Sequence, residues 1–166
     1  IHIEDQLYPK RAHYHKYVAH AIPREELVDK IRFACETRDQ LDPDFVIIAR
    51  TDTLRFEGRA EAVKRINLCA EVGADLGLLF PMNDEDAERA PRECDIPLVY
   101  VQSRGNREGR PLYSMQQLRD MGYKACIDAQ LFMLASLHFA RQALEQVRDT
   151  GDYTGMTFDD MVAARQ

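Results

Sequence analysis

What the chain lacks narrows the field first. No apolar run in its 166 residues approaches the length of a membrane span, and nothing at the N-terminus reads as a signal peptide, so a membrane partner is not expected. Positive charge is not in excess: 22 Lys and Arg face 28 Asp and Glu, for a net charge of −6. With no basic stripe interleaved with aromatics, nucleic acid is not expected as a partner. The four cysteines (Cys35, Cys69, Cys94, Cys126) form no C-x-x-C pair, and each lies in or beside an apolar segment. Buried free thiols in a reducing cytoplasm explain them better than a disulfide framework or a metal centre. The phosphate-cradling and nucleophile-elbow motifs G-x-x-x-x-G-K-[ST], G-x-G-x-x-G and G-x-S-x-G are all missing. There is no Pro/Ser/Gly-rich linker and no sequence repeat, so residues 1–166 read as a single domain, long enough for a sizeable core.

What is present is an alternation. Strand candidates fall at residues 1–4, 45–50 (F-V-I-I-A-R), 76–80 (L-G-L-L-F), 98–102 (L-V-Y-V-Q) and 124–127. Most are continuous apolar runs, which suits strands buried on both faces of a parallel sheet. Helical periods fill the gaps. Leu27, Ile31, Ala34 and Cys35 follow Pro23; Ala62, Ile66, Cys69 and Ala70 precede Gly73 as a helix stop; Ser114 and Gln117 read as a capping box. A longer helix is expected over 131–147, ending before Gly151, and a final turn from Thr157. The charged stretch 84–94 predicts a short helix broken by Pro91. The fold class is therefore α/β with a mostly parallel sheet. Periodicity alone does not separate an open five-stranded sheet from part of a βα barrel.

If the strands are parallel, their carboxyl ends converge on one pole. That pole then carries Glu4-Asp5, Arg50-Thr51-Asp52, Pro81-Met82-Asn83, Gln102-Ser103-Arg104 and Asp128, a strongly polar set. Glu4 and Asp5 suit a hard cation such as Mg²⁺, or cap a loop. Arg50 ends an apolar strand and needs a partner: either Asp52 or a neighbouring carboxylate, or an anionic substrate held in its bidentate fork. His13 and His15 form a His-x-His that suits zinc or a solvated surface loop. Arg104, Arg107 and Arg110, interleaved with Gly105 and Gly109, suit an anion or a solvated loop.

Taken together, these residues resemble the isocitrate lyase / phosphoenolpyruvate mutase superfamily. The blocks H-I-E-D-Q-x-x-P-K (2–10) and I-A-R-T-D (48–52) carry the likeness. E-V-G-A-D-L-G-L-L-F (71–80) and the stretches 96–99, 111–118 and 121–126 support it. The resemblance runs to the helix ending near Val147.

The resemblance implies a (β/α)8 barrel of the TIM type, of which this chain supplies strands four to eight with their helices, and a cytoplasmic homo-oligomer, dimer or tetramer. It implies a Mg²⁺-dependent lyase that cleaves a C–C bond in a small 2-hydroxy or 2-oxo dicarboxylic acid through an enolate-like intermediate. Glu4 would belong to the metal shell, Lys10 to a closing active-site loop, and Arg50 would grip the substrate. Ser103, with Gln102 beside it, would hold a substrate carboxylate. Three departures stand out. Ala12 replaces the acid/base cysteine of the lyase loop, Met82 a glutamate and Val101 an asparagine. His13 or His15 is then expected to supply the proton, since imidazole titrates near neutrality. C–P bond mutation, oxaloacetate hydrolysis or decarboxylation on the same site, and a non-catalytic acid-binding relative, remain the alternatives. The stretch in isolation is expected to bind Mg²⁺ weakly and to be inactive.

Overall fold

A computed structural model of the chain describes residues 1–9, 21–103 and 109–152. The calls on Lys10, Ala12, His13, His15, Arg104, Arg107 and the turn at Thr157 lie outside these residues. The chain that reads as one domain divides into two compact units, Ile1–Ala129 and Gln130–Gln166.

In the first unit, strands β1 (His2–Glu4), β2 (Ile48–Arg50), β3 (Leu76–Leu78), β4 (Leu98–Gln102) and β5 (Ala125–Asp128) alternate with helices. The helices are α1 (Arg24–Leu41), α2 (Leu54–Glu57), α3 (Arg59–Glu71), α4 (Asp84–Glu93) and α5 (Met115–Met121). All four strand pairings are parallel, and the sheet order β1-β2-β3-β4-β5 follows the chain. That order decides what periodicity left open. Parallel crossovers are right-handed, so a sheet that always steps the same way keeps its helices on one face. An open doubly wound sheet must reverse direction. The arrangement is an arc of a βα barrel.

Side-chain parity follows. One face of the sheet packs Ala49, Leu98 and Tyr100 against Leu27 and Ile31 of α1, Ala62, Ile66 and Cys69 of α3, Ala87 and Ala90 of α4, and Leu118 of α5. The opposite, inner face gathers Leu78, Phe80 and Val99 with Ile48, Leu76 and Val101. Gly77 lies on the helix side of β3, where a Cβ would come within 2.6 Å of Ile66 and 2.7 Å of Leu98, so α3 packs against bare backbone.

Four sequence expectations shift. The strands are shorter than their apolar runs: pairing in β2 starts at Ile48, leaving Phe45 and Val46 exposed, and β3 ends at Leu78. Burial on both faces holds for β4 but not for β1 and β5, which among the described residues lie at the ends of the sheet and pair on one side only. Cys35 and Cys69 are buried and Cys94 and Cys126 half-buried; all four are free, with thiols pushed up by burial. Pro91 does not break α4, which runs on to Glu93. Proline lacks the N–H that would bond the carbonyl four residues back, that of Ala87. The Tyr123 hydroxyl donates to that carbonyl instead, at 3.0 Å. At the other end of α4, Asn83 caps the backbone N–H of Asp86. The capping box of Ser114 and Gln117 forms as read.

In the second unit α6 (Leu131–Thr150) ends at Gly151 in a left-handed conformation (φ 69°). None of its residues is buried, and Phe132 is 83% exposed. Among the described residues no helix is long and apolar enough to cross a membrane.

Candidate active site

The carboxyl ends of the strands do meet at one pole, and there the alternation of strand side chains separates neighbours. Glu4 and Arg50 are paired in register across β1 and β2 and share the inner parity of Ile48 and Leu78. Arg50 Nη2 lies 3.0 Å from Glu4 Oε2. The same guanidinium donates to both oxygens of Asp52, Nε at 3.0 Å and Nη2 at 3.1 Å. Asp52 is itself buried and also accepts from the Gln6 side-chain amide. Beneath the fork lies Phe80, with the Arg50 guanidinium carbon 4.8 Å from its ring centroid. The paired-carboxylate reading of Arg50 is thus realised, and the pairing fixes the direction of the fork at the pole.

One residue on, the chemistry is different. Asp5 faces the helices and is fully buried. It accepts from Thr51 Oγ1 at 2.5 Å, from the Asp52 backbone N–H at 3.0 Å, and from Arg65 Nη1 at 3.3 Å. Arg65, on α3, also donates to Glu61 at 2.9 Å and to the Ile22 carbonyl at 2.8 Å. Burial pushes the Asp5 carboxyl above its ordinary range, against the pull of Thr51, the Asp52 N–H and Arg65. Asp5 therefore ties the end of β1 to the turn after β2 and holds Asp52, and through it Arg50, in place.

The predicted residues of β4 divide in the same way. Gln102 points with Tyr100 toward the helices: its Nε2 donates to the Tyr113 carbonyl at 2.5 Å and its Oε1 accepts from the Tyr113 N–H at 2.9 Å. Both ends of its amide are occupied in holding the segment before α5, away from Arg50. Ser103 follows β4 and is half-buried.

Two further arginines join the pole, of which the sequence marks Arg110 alone as suited to an anion. Arg55, on the short helix α2 that went unread, sets its guanidinium carbon 5.7 Å from the Phe80 centroid. Arg110, which suited either an anion or a solvated loop, is 8% exposed and lies 4.9 Å from the same centroid. For α2 the available signal was Thr53 before four residues and Gly58 (φ 84°) after them.

The donors at this pole that suit a metal are oxygens: the carboxylates of Glu4 and Asp52, and Gln6 Oε1, which is buried with no hydrogen-bond partner among the described residues. That is the hard-donor chemistry that Mg²⁺ takes. Among the described residues no three His, Cys, Asp or Glu side chains form a cluster able to hold a metal. Glu4 would supply one oxygen ligand to such an ion, and the described residues form no closed cage around it.

The family described as phosphoenolpyruvate phosphomutase matches residues 1–148. The 2-methylisocitrate lyase of Salmonella typhimurium is 34% identical over 148 residues, covering 89% of this chain and 47% of that protein. The 2,3-dimethylmalate lyase of Eubacterium barkeri is 32% identical over 164 residues, covering 98% and 52%. The solved structure of oxaloacetate acetylhydrolase with the inhibitor 3,3-difluorooxalacetate matches with a TM-score of 0.85 at 29% identity, covering 98% of this chain and 55% of that one. The chain spans about half the length of the curated relatives it matches.

Proposed function

The chain belongs to the phosphoenolpyruvate phosphomutase family, and from that premise we propose that it forms part of a Mg²⁺-dependent carbon–carbon lyase acting on a small 2-hydroxy or 2-oxo dicarboxylic acid. The observation that carries the reading is the inner-face constellation of Glu4, Arg50 and Asp52 over Phe80. A guanidinium held through Nε and Nη2 by two carboxylates and backed by an aromatic ring has little side-chain freedom left to lose when its Nη1 meets a substrate carboxylate. Curated relatives named 2-methylisocitrate lyase and 2,3-dimethylmalate lyase support carbon–carbon cleavage.

In this reading Arg50 binds the carboxylate next to the bond that breaks. Asp52 and Glu4 hold its fork, and Asp5 holds Asp52. Mg²⁺, with Glu4 in its shell, supplies Lewis-acid stabilisation of charge developing on the substrate oxygen. Lys10 closes the site, Ser103 adds a second anchor, and His13 or His15 moves the proton. A homo-oligomer, dimer or tetramer, belongs to the same proposal; the large exposed apolar residues of α6 support it.

The second reading, hydrolysis of oxaloacetate on the same site, is favoured by the TM-score of 0.85 to oxaloacetate acetylhydrolase. One experiment serves both. The full-length protein is assayed with Mg²⁺ against 2-methylisocitrate, 2,3-dimethylmalate and oxaloacetate, with Arg50→Lys and Glu4→Gln alongside. Calorimetry follows Mg²⁺ binding independently of turnover. The lyase reading expects cleavage of a hydroxy-acid, lost in Arg50→Lys, and weaker Mg²⁺ binding in Glu4→Gln. Hydrolysis of oxaloacetate alone selects the second reading, and full activity in Arg50→Lys sinks both.

A further inference from the structure

Gln6 carries an amide that is hydrogen-bonded at one end only. Its Nε2 donates to Asp52 Oδ2, while its Oε1 is buried with no hydrogen-bond partner among the described residues. The amide is not free to turn over. An ionised carboxylate only accepts, so the N–H end must face Asp52 and the carbonyl must point away. Native proteins leave few buried acceptors unsatisfied, because each one forfeits its hydrogen bonds to water. The fold therefore tolerates an unfavourable carbonyl at this point and keeps a donor on Asp52.

What that donor does follows from how the site shares its charges. Arg50 Nη2 is divided between Glu4 Oε2 at 3.0 Å and Asp52 Oδ2 at 3.1 Å, and Nε donates to Asp52 Oδ1 at 3.0 Å. Asp52 thus competes with Glu4 for one guanidinium. A second donor on Oδ2 keeps the carboxylate in place when Nη2 leans toward Glu4, and a neutral amide does so without adding a charge. The backbone behind the amide is fixed as well. Gln6 forms an antiparallel bridge with Ala21, and the carbonyl of Asp5 accepts from the Ile22 N–H at 2.7 Å. Asp52 is gripped from two sides: by Asp5 at its backbone N–H, at 3.0 Å, and by Gln6 at its carboxylate.

We infer that Gln6 is a positioning residue of the substrate site, which steadies the Asp52 carboxylate and through it sets the aim of the Arg50 fork. The inference rests on the proposed reading that Arg50 takes a substrate carboxylate. It goes further by assigning the precision of that contact to a neutral side chain that acts through Asp52 and touches neither substrate nor metal.

The test uses the full-length protein with Mg²⁺ and oxalate as the probe, read by calorimetry for wild type, Gln6→Met, Gln6→Lys and Arg50→Lys. Mg²⁺ binding without acid and denaturant midpoints are measured for each. Gln6→Met removes both ends of the amide, whereas Gln6→Lys keeps a donor for Asp52 and has no carbonyl. Oxalate affinity is expected to fall about tenfold in Gln6→Met, the scale of one charge-assisted hydrogen bond lost behind the fork, and to be largely restored in Gln6→Lys. Stoichiometry, Mg²⁺ affinity and the midpoint of Gln6→Met stay close to wild type, because removal of the unpartnered carbonyl offsets the lost bond to Asp52. Unchanged oxalate affinity in Gln6→Met, a loss that Gln6→Lys does not restore, or a loss confined to stoichiometry overturns the inference. So does a fall in Mg²⁺ affinity, which would make Oε1 a metal ligand, or an affinity above wild type in Gln6→Lys, which would set residue 6 against the anion itself. These outcomes leave the proposed function standing when Arg50→Lys loses oxalate. Arg50→Lys that binds oxalate as wild type does overturns the proposed function, and this inference with it.

Discussion

The two faces of the sheet handle charge in opposite ways. On the helix side, Asp5 and Arg65 are almost completely enclosed, and their hydrogen-bonding groups are directed to protein: Thr51, the Asp52 N–H, Glu61 and the Ile22 carbonyl. On the inner side, Arg50, Arg55 and Arg110 surround Phe80 at the carboxyl pole. The first arrangement locks loops to helices. The second presents aligned donors at the pole where barrel enzymes bind ligands. Chain neighbours are divided between the two tasks, Glu4 from Asp5 and Arg50 from Thr51. A charged residue at the end of a strand thus takes its role from parity as much as from type.

The comparison is best broken by mutating one face and watching the other. Arg65→Met should have the largest effect. It strands Asp5 in the core, and removing one partner of a buried pair costs roughly 3–5 kcal/mol. Denaturant melts of the full-length protein should show that loss, with ligand affinity per folded molecule little changed. Arg50→Lys should reverse the pattern. The lysine keeps the charge but loses the bidentate fork, so kcat/KM should fall about 10²-fold or more, roughly 2.7 kcal/mol of transition-state binding, while the melt moves by less than about 1 kcal/mol. Gly77→Ala, on the helix face, comes next. Its methyl would meet Ile66 and Leu98, and such overpacking costs typically about 1–3 kcal/mol. Loss of substrate affinity without loss of stability in Gly77→Ala would blur the division between the faces.

Much of this was legible in the chain. The strand 98–102 emerges with the boundaries its apolar run suggests, and the Ser114–Gln117 capping box forms because every group it needs lies within one turn. Features that depend on distant residues were not legible. Pro91 reads as a break because the hydroxyl that satisfies Ala87 comes from Tyr123, 36 residues from the carbonyl it serves. Gln102 reads as a ligand for substrate because its partner Tyr113 lies across a loop. Arg50 and Arg110 each read as suited to an anion, but their meeting with Arg55 was hidden for the same reason. Arg50, Arg55 and Arg110 come from β2, α2 and the segment after β4 and meet around Phe80, a residue whose own run reads as core. The pairing of Arg50 with Asp52 was legible, since the two are two residues apart and so share a face.

The smallest effect, and the sharpest on the helix side, is on pH. Arg65 holds two carboxylates whose titrations oppose each other. Burial raises both, but for Glu61 the hydrogen bonds from Arg24 and Arg65 prevail and its carboxyl sits below the ordinary 4.5. For Asp5 burial prevails and its carboxyl sits above the ordinary 3.8. A lowered carboxylate contributes stability that is present above its unfolded pKa and lost as pH falls through the folded one. A raised carboxylate does the reverse: its contribution is present below the unfolded value and lost as pH rises through the folded value. In wild type the two slopes partly cancel on the acid side. Denaturant midpoints between about pH 3 and 7 should therefore fall more steeply toward acid in Asp5→Asn, which removes the opposing slope, and more gently in Glu61→Gln. Parallel profiles in all three proteins would mean that neither carboxyl titrates away from its unfolded value, whereas a gentler profile in Asp5→Asn would mean that the hydrogen bonds from Thr51 and Asp52 outweigh the cost of enclosing Asp5.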